Sequence, residues 1–305
     1  MHAKVLSVYI KFTEIIISKY STRETMRYAI GIDLGGTKIE GALVDEKGRV
    51  LKRFRVMTEA SKGRQTVLKN ILKVIDSLIS KNIAGVGVGI PGRAQRGRIT
   101  FMPNIKALEG FQLTGFLEKT TGKRVILQND SECFALAEHM FGAGRKAQNM
   151  IGVIIGTGIG SGIIINGRIY SGSRGYAGEI GHIILERGDV ESYSSGKSIA
   201  RRYTELGGRV ARPDPAKIYA SKERVAGKVI EEALDTLAKT IAALATALDL
   251  NIAVLGGGIS NLPIYDKLNR KVDGYLYCPL KGKVKVVKNK LGDSAGVIGA
   301  AALAF

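Results

Sequence analysis

Apolar and polar residues follow each other along this chain in blocks that predict strands separated by glycine-rich turns. Residues 28–33 form an apolar run, residues 34–38 (Leu-Gly-Gly-Thr-Lys) interrupt it, and apolar residues resume at 39–44. The turn 45–48 then leads into a third run at 49–56. Because short apolar runs bounded by glycine-rich turns are typical of strands, this block predicts three strands joined by two turns.

The same pattern returns in the second half of the chain. Residues 150–155 repeat the apolar run, residues 156–160 (Gly-Thr-Gly-Ile-Gly) repeat the break, and residues 161–165 continue to the Asn166-Gly167 turn. An Asn-Gly pair between apolar runs is a strong hairpin signal. The chain is therefore expected to contain two related halves, each with a threonine in a glycine-rich turn between strands.

Helical and extended patterns alternate between these two blocks. Apolar residues recur at helical spacing in some segments, and short apolar runs end at turn residues in others. Helices are predicted at 65–80, 131–141, 231–250 and 294–304, and strands at 83–90, 125–127 and 252–255. This alternation predicts an α/β protein whose sheets are covered by helices.

Length and composition fit a folded protein of two lobes. The chain has 305 residues, of which 45% are hydrophobic and 24% charged, an ordinary globular balance. Its two cysteines, Cys133 and Cys278, make neither a disulfide framework nor a four-cysteine zinc site, so a reducing compartment, the cytoplasm, is expected.

The net charge of +19 would suit nucleic acid, an anionic membrane or an anionic small molecule. The densest basic cluster, residues 281–290, alternates Lys with Val and predicts an edge strand with solvated lysines. No aromatic residues interleave with it as base stacking requires, so no nucleic-acid partner is expected. Charged residues or glycines interrupt the apolar stretches at 1–25 and 147–167, so no membrane partner is expected either.

Residues 1–25 stand apart from the rest of the pattern. Met26 opens a well-patterned strand, so the preceding residues are interpreted as a weakly ordered extension or as the product of a start assigned too far upstream. The 32 residues before Asp33 lack a two-helix pattern, and we expect no DNA-binding module ahead of the core.

The first glycine-rich turn carries the chemistry of a polyphosphate site. It offers backbone N–H groups, a hydroxyl, an ammonium and a carboxylate that could organise Mg²⁺. A purely structural hairpin is the alternative, and the matching turn at 156–160 favours the functional interpretation. The residues concerned are Asp33, Gly35, Gly36, Thr37 and Lys38, with Gly156, Thr157, Gly158 and Gly160 in the second turn.

Other motifs leave two interpretations open. Residues 256–258 (Gly-Gly-Gly) suit either a strand-to-helix turn or the close approach of a nucleobase. Asn129 and Asp130, between a strand and a helix, suit either a helix cap or a ligand group. His182 follows Glu179 by three residues and could be structural or functional. The run 87–92 matches G-x-G-x-x-G but opens no helix, so it is rejected as a dinucleotide motif.

Taken in order, these motifs resemble the ROK family, the sugar kinases and related repressors built on the actin-like ATPase fold. The resemblance covers about residues 26–305. It rests on residues 33–38, Pro91-Gly92, Pro103-Asn104, Asn129-Asp130, 156–160, 178–182, Glu191 with Ser195-Gly196, 256–258 and the ending 291–300.

The resemblance implies a two-lobed actin-like ATPase fold, a duplicated ribonuclease H-like domain with the ligand cleft between its lobes. Residues 26–129 would form the small lobe and residues 130–290 the large lobe, with residues 291–305 packing back on the small one. It also implies ATP and Mg²⁺ as cofactors, a hexose as substrate and a homodimer.

The same resemblance implies the roles of individual residues. Asp130 would be the general base that takes the proton from a hexose hydroxyl, and the 6-hydroxyl is the expected one. Asn104, Asn129, Glu179, His182 and Glu191 would hold the other sugar hydroxyls together with it. The residues of the two glycine-rich turns would bind the phosphates of ATP, Asp33 would lie near Mg²⁺, and Gly257 and Gly258 would lie against the adenosine.

One departure from the family pattern concerns zinc. Many members carry a Cys-x-Cys-Gly-x-x-Gly-Cys loop after the histidine, but no cysteine lies between His182 and Glu191 here. Without thiolate partners His182 cannot complete a tetrahedral site, so no structural zinc is expected.

Glucose or a broader range of hexoses is the expected substrate. N-acetylhexosamines, among them N-acetylmannosamine and N-acetylglucosamine, are the alternative acceptors. A catalytically silent sugar-binding sensor is the alternative to an enzyme.

Overall fold

Two mixed five-stranded sheets with the same strand order form the frame of the part of the chain that the structure describes. The structure, a computed structural model, describes residues 26–80, 82–186 and 188–305, so the predicted extension 1–25 lies outside the described residues. The first sheet contains β1 (Tyr28–Leu34), β2 (Lys38–Asp45), β3 (Val50–Met57), β4 (Ile83–Ile90) and β7 (Val125–Asn129), in the order β3-β2-β1-β4-β7. Strands β5 (Arg93–Gln95) and β6 (Arg98–Phe101) form a hairpin beside it.

The second sheet repeats this arrangement. It contains β8 (Met150–Ile155), β9 (Ile159–Ile165), β10 (Arg168–Ile169), β13 (Ile252–Gly256) and β14 (Lys285–Lys288), in the order β10-β9-β8-β13-β14. In both sheets the first three strands pair antiparallel, and the remaining two run parallel to the first strand. The shared topology confirms the internal repeat predicted from the sequence. Strand β14 is the expected edge strand, although only four residues of the 281–290 cluster form it.

The four predicted helices are present with shifted ends, and five further α-helices of the described residues were not predicted. The long predicted helix begins seven residues earlier, and a short helix at 113–121 had no clear pattern in the sequence. Helix ends depend on caps and packing, which periodicity does not reveal. The α-helices of the described residues are α1 (Arg64–Leu78), α2 (Leu113–Thr121), α3 (Asp130–Met140), α4 (Val190–Ser194), α5 (Gly196–Glu205), α6 (Pro215–Ala220), α7 (Arg224–Leu248), α8 (Tyr265–Tyr275) and α9 (Ala295–Ala302).

Each sheet has its own hydrophobic core. Helix α1 buries its apolar face, including Ile71 and Ile75, in the cluster that holds the apolar residues of β1 and β4. Helix α7 buries Leu237 and Ile241 in the cluster of the second sheet. No helix among the described residues is long and apolar enough to cross a membrane.

Helices α3 and α9 pack closely against each other and against the first sheet. A Cβ on Gly299 would lie 1.8 Å from the carbonyl oxygen of Cys133 in α3, and a Cβ on Gly87 in β4 would lie 1.7 Å from that of Ala300. Glycine is required at both positions because the backbones are in direct contact. Helix α3 also packs against β8 and β9, so it contacts both sheets.

Candidate active site

Two cavities meet at the junction of β7 and α3. The first has a volume of about 750 Å³ and the second about 420 Å³. Asp130 and Ile154 line both cavities. A carboxylate at this junction can therefore reach molecules bound on either side of it.

Asn129 and Asp130 lie at this junction, and the sequence left open whether each is a helix cap or a ligand group. Asn129 caps α3, because its Oδ1 accepts hydrogen bonds from the backbone N–H groups of Ser131 at 3.1 Å and Glu132 at 3.4 Å. Its Nδ2 donates to the carbonyl oxygen of Gly92 at 3.2 Å. Both polar atoms of this amide are thus engaged with the backbone, and the predicted sugar contact of Asn129 stays a prediction.

Asp130 begins the helix with its carboxylate directed at the cavities. Its Oδ1 accepts hydrogen bonds from the backbone N–H of Ser131 at 2.7 Å and from the Ser131 hydroxyl at 3.1 Å. Burial raises the pKa of Asp130, although these hydrogen bonds and the guanidinium of Arg93 oppose the rise. A carboxylate with a raised pKa is a better proton acceptor at neutral pH than an ordinary aspartate.

The first cavity brings together residues that are far apart in the sequence. All six residues predicted to hold a sugar line it: Asn104, Asn129, Asp130, Glu179, His182 and Glu191. Gly156, Thr157, Gly158 and Gly160 of the second glycine-rich turn line it as well. The turn itself is shorter than predicted, since β9 already begins at Ile159.

The second glycine-rich turn is held in place from α4 and α5. Glu191 in α4 accepts a hydrogen bond from the backbone N–H of Ile159 at 2.6 Å. The backbone N–H of Gly196, the first residue of α5, donates to the carbonyl oxygen of Gly156 at 2.8 Å. Glu191 therefore supports the turn in addition to lining the first cavity.

The second cavity is lined by an acid that precedes the first glycine-rich turn and by a glycine that follows β13. It is lined by Asp33 and Gly257, together with Ser260, Asn261, Lys288, Lys290 and Asp293 among others. Burial raises the pKa of Asp33 to about 6, and the charges of Asp130 and Glu40 add to the rise. The charges of Lys38 and Arg55 oppose it.

These surroundings of Asp33 fit a divalent cation. A hard cation with oxygen ligands would stabilise the ionised form of a buried carboxylate that neighbouring carboxylates disfavour.

Gly257 has a φ of 81°, and a Cβ there would lie 2.5 Å from the carbonyl oxygen of Ile155. Glycine is required at this position, because a side chain would collide with the backbone of β8.

The first glycine-rich turn lies beside the cavities. Gly35, Gly36, Thr37, Lys38 and Gly258 are not among the residues that line either cavity. The turn is closed by a hydrogen bond from the N–H of Gly35 to the carbonyl oxygen of Lys38 at 3.0 Å. A Cβ on Gly36 would lie 3.0 Å from the Cβ of Asn104, so the turn abuts the wall of the first cavity.

Three further residues of the first cavity were missed by the sequence analysis. Arg93 is 7% exposed and lies at the start of β5, and the aromatic side chains of Phe101 and Tyr176 are each half exposed. Arg93 donates a hydrogen bond to Glu179 and lies 5.6 Å from the centre of the Tyr176 ring. Its position directly after the Pro91-Gly92 motif was the only available signal.

The surroundings of His182 bear on the expected absence of zinc. In the described residues no group of three or more His, Cys, Asp or Glu side chains is placed to hold a metal ion. The interval between His182 and Glu191 contains the short hairpin of β11 (Ile184–Leu185) and β12 (Gly188–Asp189). The absence of zinc stays a prediction.

Comparison with known proteins gives consistent matches along the chain. A model of the ROK family matches residues 29–305. The glucokinase of Thermotoga maritima is 32% identical over 90% of this chain and 96% of its own, and the N-acetyl-D-glucosamine kinase of Histophilus somni is 31% identical over 90% and 97%.

Solved structures show the same architecture. A ROK family glucokinase from Streptomyces griseus, in complex with glucose and AMPPNP, matches with a TM-score of 0.74 and 28% identity over 90% of this chain and 98% of its own. A ROK hexokinase from Thermus thermophilus matches with a TM-score of 0.78 and 29% identity over 90% and 96%.

Proposed function

The chain belongs to the ROK family, and from this premise we propose that it is an ATP-dependent hexose kinase in which Asp130 is the general base. The observation that carries the proposal is the position of Asp130, which lines both cavities. An acceptor hydroxyl in the first cavity and a phosphate reached from the second would meet at this carboxylate.

The proposed reaction transfers the γ-phosphate to the 6-hydroxyl of glucose or of a broader range of hexoses. The carboxylate of Asp130 takes the hydroxyl proton, the hydroxyl oxygen forms a bond to the γ-phosphorus, and the bond from that phosphorus to ADP breaks. Positioning and charge supply most of the rate in such transfers. The raised pKa of Asp130, caused by burial, suits a base that works near neutral pH.

The other site residues divide into a sugar group and a nucleotide group. Asn104, Glu179, His182 and Glu191 surround the sugar, since carboxylates accept from hydroxyls and amides both donate and accept. Backbone N–H groups of the two glycine-rich turns would bind the phosphates, and Gly257 and Gly258 would lie against the adenosine. Asp33 would hold Mg²⁺, which supplies charge that offsets the phosphate oxygens.

The wider arrangement is proposed on the same premise. The small lobe comprises residues 26–129 and the large lobe residues 130–290, with the last helix returning to the small lobe. The enzyme is proposed to act in the cytoplasm as a homodimer, which size-exclusion chromatography with light scattering would test.

The test is ATP-dependent phosphorylation of a panel of sugars by the purified protein. Glucose, mannose, fructose, N-acetylglucosamine and N-acetylmannosamine are compared, with the Asp130→Asn variant as control. We expect the variant to be about 100- to 10,000-fold slower in kcat with unchanged binding of AMPPNP. An Asp130→Asn variant as active as the natural protein would refute the role of Asp130. Sugar binding without turnover by the natural protein would favour a silent sensor.

A second candidate is phosphorylation of N-acetylglucosamine. It is favoured by the N-acetyl-D-glucosamine kinases among the relatives at 31–32% identity. The ratio of kcat/KM for glucose and N-acetylglucosamine in the same panel decides between the two.

A further inference from the structure

Arg93 is the one cation of fixed charge among the described residues that line the first cavity. It is the first residue of β5, directly after Pro91-Gly92, and its side chain is 7% exposed. A buried guanidinium needs anionic partners, because an isolated buried charge is strongly unfavourable. The groups that contact Arg93 therefore identify the interactions that stabilise this part of the cavity.

Two carboxylates from distant segments face the guanidinium. Nη2 donates a hydrogen bond to Oε1 of Glu179. Nη1 lies 3.7 Å from Oε2 of Glu132, which is 2% exposed and lies in the first turn of α3. The ring of Tyr176 lies 5.6 Å from the centre of the guanidinium. Arg93 thus connects the β5–β6 hairpin to α3 and to the segment that carries Glu179.

The orientation of the guanidinium favours Glu179 over Glu132. A purely structural pair with Glu132 would be expected to use two parallel hydrogen bonds, the strongest arrangement for arginine and a carboxylate. Instead Nε of Arg93 and Oε1 of Glu132 are both buried without a hydrogen-bond partner. Leaving two buried polar atoms unpaired is costly, and the hydrogen bond to a carboxylate that the guanidinium does make is the one to Glu179.

We propose that Arg93 is a positioning residue of the sugar site, which fixes the carboxylate of Glu179 so that its second oxygen accepts a hydrogen bond from a sugar hydroxyl. This inference rests on the proposed function of the first cavity. Burial and the charge of Glu179 raise the pKa of Asp130, and the charge of Arg93 opposes that rise.

The experiment compares four variants with the natural protein. Arg93→Met removes the charge, Arg93→Lys retains it, and Arg93→Met combined with Glu132→Gln removes both sides of the buried pair. Arg98→Met, on the exposed side of the same hairpin, is the matched control. Titration calorimetry with glucose and with N-acetylglucosamine gives the Kd of each sugar, and steady-state kinetics gives kcat and both KM values.

We expect Arg93→Met to raise the Kd and KM of the sugar about 10- to 100-fold with little change in the KM of ATP. Arg93→Lys should recover part of this loss because a point charge still attracts Glu179. The double variant should retain the defect, since Glu179 still lacks its partner. Arg98→Met should behave as the natural protein.

Two results would overturn the proposal. A sugar Kd in Arg93→Met within about twofold of the natural value would show that Glu179 needs no positioning. Recovery of normal sugar binding in the double variant would show that the defect came only from the buried charge of Glu132, left without Arg93. Because the calorimetry measures binding, failure of the natural protein to turn over a bound sugar would count against the kinase proposal and leave the role of Arg93 measurable. If the natural protein binds neither sugar, both the kinase proposal and the proposed role of Arg93 are refuted.

Discussion

The ionised carboxylate of Asp33, at the second cavity, should make the ligand-free protein less stable than it would be if this side chain were uncharged. Burial, Asp130 and Glu40 raise the pKa of Asp33 from 3.8 to about 6. A folded-state pKa above the unfolded value means that ionisation destabilises the folded state. The cost is absent below about pH 4, grows as the pH rises and is complete above about pH 6.

The Asp33→Asn variant removes this cost while keeping the size of the side chain. Since one pKa unit corresponds to about 1.4 kcal/mol, the variant should gain up to about 1.6 kcal/mol in the free energy of unfolding at pH 5 and about 3 kcal/mol at pH 8. The same variant should lose sugar phosphorylation, because the carboxylate that would hold Mg²⁺ is gone.

Urea unfolding followed by circular dichroism, with EDTA and without nucleotide, measures both values. Asp76→Asn on the exposed side of α1 is the matched control and should change stability by less than about 0.5 kcal/mol. A gain of equal size at pH 5 and pH 8, or no gain at either, would refute the electrostatic reasoning about Asp33.

Three further predictions concern the rest of the molecule. Glu138→Gln should lower the free energy of unfolding by about 2–4 kcal/mol, measured by urea unfolding, because this fully buried carboxylate accepts hydrogen bonds from three backbone amides. Gly257→Ala should lower the melting temperature or the affinity for AMPPNP, since its Cβ would lie 2.5 Å from the carbonyl oxygen of Ile155; Gly274→Ala, with open space around it, should do neither. Because three acids and one arginine line the first cavity in the described residues, glucuronate should inhibit glucose phosphorylation at least about 100-fold more weakly than 6-deoxyglucose, which also lacks the 6-hydroxyl but carries no charge, and equal inhibition constants would contradict this.

The sequence was most informative where local chemistry decides structure. Glycine-rich turns between apolar runs located β1, β2, β8 and β9, because turn formation depends on a few neighbouring residues. The repeat of that pattern also predicted two related sheets. The Asn129-Asp130 pair was found for the same reason, since both helix capping and exposure at a strand end follow from local position.

The sequence was least informative about contacts between segments that lie far apart along the chain. The proposed role of Arg93 depends on its contacts with Glu132 and Glu179, and periodicity and spacing do not predict these contacts. The contact of Glu191 with the N–H of Ile159 was likewise invisible, because it depends on how α4 packs against the second sheet. Helix α2 escaped prediction because its burial rests on only Leu113 and Leu117, too few positions for a period to emerge.

The packing of α9 has a consequence for how the chain folds. Strands β1 and β4 bury one face against a helix that follows β1 by roughly 260 residues, a separation that makes closure of this core slow. The first sheet is therefore expected to stay incomplete during synthesis, with its glycine-lined face open, until the second half has formed and α9 emerges. Hydrogen exchange during refolding should accordingly show late protection of the β1 and β4 amides relative to those of α7.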